Sequence, residues 1–392
     1  MNNQNTTRIQ IHLLQNHAPA NLNRDDLGAP KTCYLGGVLR SRISSQCLKR
    51  SIRLSPYFKD LCGGVRTRRL AKLITDQVDG NNATKKKVAA ILKKCGLEAK
   101  ENDETNMVVY TTKEAIREMA TALRNGLEEP DIIARFKELL STNTAVPDMA
   151  LCGRMLETGE IKDTNVEAAL QAAHAISTHE ARPEVDYYVT ADDIPGTDAG
   201  AGYVDEAIFV SACYYKYFSI DWAQLLHNLK GYPGNRIHLA AHTVGAFIKA
   251  AALVTPSGKQ NSYAAHNPPD GILVEISPTP INYANAFAKP VDIGQRDLIG
   301  QSIAQLAQYI HEMDAGFKVV DPSKRFWFSP GMRNRLETSQ RAGDTAGDRQ
   351  TIRVQAVEVD QLENLIHQVI KAIDPILDWQ EVQRTILNNH EA

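Results

Sequence analysis

Near the start of the chain, apolar Ile9, Ile11 and Leu13 alternate with polar Gln10 and His12, and this period of two predicts a half-buried strand. The polar stretch "NHAPANLNRDDLGAP" ends the pattern, and a second short strand is expected around Val38 to Ile43. Ser44 or Ser45 can cap a helix carrying "QCLKRSIRLS", which must end before Pro56. From about 66 to 145 the pattern is mostly helical, with lysine and arginine frequent early on, and it reads as a helical insertion. A long helix is expected from Asn165 to His179. "DDIPGTDAGAG" is too rich in Gly and Asp for regular structure. With the strand-like "EAIFVSACYYKYFSID" after it, it predicts a hairpin or flexible loop. "HLAAHTVGAFIKAAALV" reads as a core helix, "GILVEIS" (271 to 277) as a buried strand, and "RAGDTAGDRQ" as a loop. "VDQLENLIHQVIKAI" closes the pattern with an amphipathic helix. Strands separated by helices, with large insertions, predict an α+β core.

A chain of 392 residues suggests two or three lobes, and 43% hydrophobic residues exclude disorder. The net charge of -2 conceals an asymmetry. From Leu27 to Thr75 the only acid is Asp60, among many cations. Near the C-terminus Glu358, Asp360, Glu363, Asp374, Asp378, Glu381 and Glu391 face only Lys371 and Arg384. That split favours an anionic partner on one face, or head-to-tail contact between copies of the chain. The six cysteines form no CxxC pair, which argues for free thiols in a reducing cytoplasm and against a zinc ribbon. No basic region leads into an apolar core at the N-terminus. The longest apolar stretch is broken by His242 and Lys249. Neither a signal peptide nor a membrane span is expected.

The sharpest chemistry lies in "GGVLRSRISSQCLKRSIR", residues 36 to 53, with five cations and no carboxylate. Arg40 and Arg42, two apart on a strand, point to one face. Backbone N–H groups at a helix start by Ser44 and Ser45 favour an anion. Lys49 and Arg53 share a helix face with Arg50 beside them. Gly36 and Gly37 let a backbone come close, and Ser44, Ser45 and Gln46 can bond phosphate oxygens or a ribose 2′-OH. Together these residues suit a single strand of nucleic acid. A nucleotide pocket is disfavoured, since neither GxxxxGK[ST] nor GxGxxG is present. Elsewhere, His174 and His179, five apart on a helix, diverge by about 140° and suit no metal. Tyr214, Lys216 and Phe218 alternate on one face of the expected hairpin, where they can stack on bases or pack against a neighbouring copy. Asp25 and Asp26 lie in a loop, where turn chemistry is their ordinary role.

Six blocks in order carry a resemblance: "LNRDD", "GGVLRSRISSQCLKRSIR", "LCGRM", "AAHAISTHE", "SYAAHNP" and "INYANAFAKPV". With them the chain resembles the CasC-type backbone subunit of the type I-E CRISPR Cascade complex. The resemblance implies a modified RRM-like, ferredoxin-like palm over 1–60 and 146–340, with a thumb at 192–221. It also implies helical fingers at 61–145, and the acidic helical segment 341–392 is expected on the palm. It implies copies stacked head-to-tail along CRISPR RNA, holding the guide for pairing with target DNA beside other Cascade subunits. By motif match Arg24, Arg42, Ser44, Ser45, Gln46, Lys49 and Arg50 would contact the RNA, and Met155 would wedge beside a flipped nucleotide. Arg40 and Arg53 join that set from the strand and helix spacing. The reading is a non-catalytic cytoplasmic scaffold with no cofactor, metal or membrane. Two alternatives are a target-RNA endonuclease of the type III class using Asp25 or Asp26, and a general single-strand-binding protein.

Overall fold

The computed structural model of the chain describes residues 7–98, 104–190, 203–294, 297–318, 320–341 and 349–384. Strand β1 (Arg8–Ala20) leads to β2 (Thr32–Leu35), β3 (Val38–Ile43) and, directly after, helix α1 (Ser45–Arg53). Then come β4 (Gly64–Thr67), α2 (Leu70–Val78), α3 (Asn82–Lys94), β5 (Val109–Thr112), α4 (Lys113–Arg124), α5 (Glu129–Thr142) and α6 (Pro147–Cys152). They are followed by β6 (Leu170–Ala172), β7 (Ala175–Ser177), β8 (Glu184–Thr190), β9 (Tyr203–Asp221), α7 (Trp222–Asn228), α8 (Arg236–Leu253) and α9 (Gln260–Tyr263). The chain continues through β10 (Gly271–Ser277), α10 (Leu298–Phe317), β11 (Arg325–Phe328), β12 (Glu337–Arg341), β13 (Arg349–Arg353), β14 (Val357–Val359) and α11 (Leu362–Ile373). No helix among the described residues is long and apolar enough to cross a membrane.

These elements form two compact units. One gathers the described residues of 1–57, 172–219 and 245–379, the other those of 58–171, 220–244 and 380–392. Residues 146–171 and 220–244, expected with the palm, thus group with the helical segment instead.

The first unit is built on a mixed sheet whose main path runs β14-β11-β10-β1-β9-β7-β3-β2, with β8 added on β9. Most neighbours are antiparallel, as in Arg8↔Ser277 of β1 and β10, while β11 and β14 run parallel. Central β1 is not half-buried. Its odd residues Ile9, Ile11 and Leu13 are buried on one face, and Gln10 and His12 are buried just as fully on the other. Polar side chains survive there because each is partnered. His12 Nδ1 meets the Tyr215 hydroxyl at 2.8 Å, and Tyr217 donates to Gln10 Oε1 at 3.0 Å. Helix α10 covers that face through Ile303, Leu306 and Ile310, packed on Leu14, Tyr215 and Leu273. On the opposite face, Phe218 meets Phe247 of α8 edge-on, and α11 packs against β10 and β11.

Two expectations fail here for one reason. No helix spans Asn165 to His179, where alanine-rich sequence forms β6 and β7 instead; β7 pairs with β3 and β9. Tyr214, Lys216 and Phe218 are core residues, buried on β9 with no face open to a base or a second copy. The Tyr214 hydroxyl lies 2.6 Å from Ser41 Oγ, and Lys216 donates to Gln15 Oε1. Pairing with strands distant in sequence overrides local propensity in the first case. In the second, it carries β9 well beyond its hairpin into the sheet. The hairpin itself exists: β8 pairs antiparallel with β9 from Glu184↔Phe209 to Thr190↔Tyr203, and residues 184–189 are exposed. "DDIPGTDAGAG" and most of the expected loop "RAGDTAGDRQ" fall outside the described residues.

The second unit is helical, as the spacing predicts, with a small β4–β5 pair added. Leu70, Ile74, Ile91, Met119 and Phe136 form its core. Asn81 caps α3 by accepting from the Thr84 N–H, and Thr112 caps α4 through the Ala115 N–H.

Candidate nucleic-acid interface

The junction between β3 and α1 is held by two short side chains. Asn23 Oδ1 accepts the Ser44 N–H at 2.9 Å, and Ser44 Oγ accepts the Cys47 N–H at 3.2 Å as the helix N-cap. Such a cap stabilises the helix by about 1 kcal/mol and fixes where it starts. The other first-turn N–H groups have no intrahelical acceptor. The first turn has no acid, and Arg50 and Arg53 lie in the last. Ser45, Leu48 and Ile52 turn inward, which leaves Gln46 and Arg50 exposed and Lys49 and Arg53 half-buried. Lys49 and Arg50 form no ion pair among the described residues. Ser45 is buried, and it offers its position in the first helical turn, not an open hydroxyl.

Arg40 does not join this surface. Its side chain is wholly buried and donates to the carbonyls of Leu35 (3.3 Å), Ser177 (3.1 Å) and Phe287 (2.8 Å). Burial pushes the guanidinium below its ordinary pKa. The period of two correctly puts Arg40 and Arg42 on one face, but the 287–288 backbone covers the Arg40 end. Gly36 belongs to the same closure. A Cβ there would sit 1.7 Å from the Ala288 carbonyl oxygen, so the backbone it admits is its own chain's. Arg42 remains accessible, with Nε on the Thr32 carbonyl at 3.2 Å and Nη1 against His174 Nδ1 at 2.9 Å.

A groove of about 540 Å³ lies between the 22–28 loop, α1 and residues 257–258, and it brings Arg24 and Arg50 together. Asp25 serves the loop: Oδ1 accepts the N–H groups of Leu27 and Ala29, both at 3.0 Å. Asp26 is exposed at the groove. Ser257 and Gly258 line it and Lys259 follows, three residues that sequence reasoning missed. A Cβ at Gly258 would sit 2.6 Å from the Leu22 carbonyl oxygen and 2.7 Å from that of Asn21, and Lys259 takes the left-handed conformation at φ +50. The "SGK" triplet is the signal that could have found them.

In the second unit, Met155 is 81% exposed. Gly153 at φ +70 and the paired backbones of Arg154 and Val166 turn the chain there. Arg154 itself is buried on the carbonyls of Thr164 (3.1 Å), Tyr110 (3.3 Å) and Leu140 (2.6 Å), and burial lowers its pKa to about 10. The two histidines share no helix. His179 is buried, its Nδ1 on the Glu180 carbonyl and its Nε2 accepting the Cys213 N–H, whereas His174 is exposed. The acidic C-terminal segment is partly neutralised within the first unit. Glu358 pairs with Arg353, and Glu363 with Lys249. Asp360 and Asp374 accept local hydrogen bonds. This weakens charge complementarity as a ground for stacking copies.

No curated protein matches the chain. A chain of a solved "CRISPR RNA-guided surveillance complex, pre-nicking" superposes with a TM-score of 0.77 at 25% identity, covering 93% of this chain and 99% of that one. A chain of another "CRISPR RNA-guided surveillance complex" gives 0.58 at 23% identity over the same shares, a likeness of fold alone. The sequence model of the family described as CT1975-like protein matches residues 9–354. With nearly nine-tenths of its length inside that match, the chain belongs to the CT1975-like protein family.

Proposed function

We propose that this chain is a non-catalytic backbone subunit of a CRISPR surveillance complex of the type I-E Cascade kind. In this reading it polymerises head-to-tail along CRISPR RNA in the cytoplasm and presents the guide, beside other Cascade subunits, for pairing with target DNA. The observation that carries the reading is the β3–α1 junction. There a capped helix start, Arg42, Lys49 and Arg50 form a basic surface in which Lys49 and Arg50 have no ion pair among the described residues, beside a groove holding Arg24. Fixed cations beside free backbone donors suit a phosphate backbone and carry no sequence readout, as a guide-independent scaffold requires. Likeness to a surveillance-complex chain over 93% of the length agrees with it. The experiment is to purify the chain from its own cell and sequence whatever RNA comes with it. Guide-length RNA carrying a common repeat is expected, and light scattering should show several copies per long strand. Purification free of RNA, or a monomer on a strand several sites long, would overturn the proposal.

A further inference from the structure

Arg42 and His174 meet in a way that only one protonation state permits. A guanidinium has donors and no acceptor. The 2.9 Å approach of Arg42 Nη1 to His174 Nδ1 therefore needs that nitrogen bare, with the ring's single proton on Nε2. The register explains the meeting: Arg42 lies opposite Ile176 of β7, and His174 sits in the two-residue link between β6 and β7, just before that strand. The charged groups acting on His174 are Arg42, from β3, and Lys31, from the segment leading into β2; neither is a carboxylate. Partial desolvation against its neighbours first, then those two cations, hold the imidazole below its ordinary 6.5. Exposed His174 thus stands against half-buried Arg42, with the half-buried Lys31 near enough for its charge to act on the ring, and none of the three is an anion.

Building on the RNA-binding reading above, we propose that Lys31, Arg42 and His174 form a site for one phosphodiester group, and that filling it places a proton on His174. An anionic oxygen arriving on Arg42 takes the donor that now points at Nδ1. The freed Nδ1 gains a proton from solvent and donates to the same phosphate, whose own charge does not change. Sequence reasoning singled out Arg42 for RNA but neither Lys31 nor His174. The sign follows from linkage. A bound anion raises the His174 pKa, so affinity rises as pH falls through the bound value and levels off below the free one. Each unit of that rise is worth about tenfold in affinity.

The test is fluorescence anisotropy with a labelled single-stranded RNA at constant salt, from about pH 8 to about pH 5.5. The wild-type chain is compared with His174→Gln and His174→Lys. The wild type should bind about tenfold tighter at the acid end, and His174→Gln should lose that gain. His174→Lys should hold the tight affinity across the range. The His174 imidazole resonances should titrate at higher pH when RNA is present. Equal pH dependence in wild type and His174→Gln, or binding independent of pH in the wild type, overturns this site and leaves the RNA-binding reading intact. No RNA binding at any pH overturns both.

Discussion

Two short blocks, one in each unit, are built alike around a buried arginine. Arg40 holds the carbonyls of Leu35, Ser177 and Phe287, and Arg154 those of Tyr110, Leu140 and Thr164. Each block then turns a nearby side chain outward, and there the likeness ends. Beside Arg40 stand Arg42 and the cations of α1; beside Arg154 stands a bare thioether. The buried arginine is the anchor, and the chemistry lies in the residue it presents. A motif arginine is therefore poor evidence of a ligand contact until its burial is known.

The strongest way to break the comparison is to remove the anchors. Arg40→Ala and Arg154→Ala should each cost roughly 3 kcal/mol or more, because each strands several buried carbonyls. Lysine should not rescue either, since one ammonium lacks the planar fork that reaches separated acceptors. Urea denaturation midpoints decide this, and an Arg40→Ala chain of near wild-type stability would remove Arg40 from the anchor class. Next in size, Lys49→Glu combined with Arg50→Glu should weaken RNA binding by roughly 100-fold without moving the midpoint. If each residue meets one phosphate, the salt slope should flatten by about 1.4, at about 0.7 per contact. An unchanged slope would shift the track off α1. The smallest effect sharpens the other half. Met155→Ala should change stability by less than about 0.5 kcal/mol, because an exposed side chain has little packing to lose. It should nevertheless alter the spacing of chemically reactive bases along a bound strand. Reactivity identical to wild type would leave the thioether without a role in RNA binding.

Legibility followed how local each cause is. The bounds Val38 to Ile43 were readable, and the cap, found at Ser44, was narrowed to Ser44 or Ser45, because strand period and capping chemistry act within a few residues. So was the turn role of Asp25, whose acceptors serve N–H groups two and four residues on. Arg40 was not readable. Periodicity assigns a face, but the Phe287 carbonyl that covers that face is 247 residues away. The false helix over 165–179 has the same origin, since Ile176 becomes strand by pairing with Arg42 and Tyr215. The basic block could be found from sequence, and its division into anchor and display could not.

Strand β9 runs 19 residues without interruption, about 60 Å at about 3.3 Å per residue. Its first part pairs with β8 in the exposed arm, and its remainder is held between β1 and β7. No loop separates the two parts to absorb a bend. In mechanical terms β9 is a cantilever whose clamped end is the middle of the sheet. A partner that seizes the arm works against the stiffness of the whole sheet, and torque applied at the tip is delivered to β7, to the residue paired with Arg42.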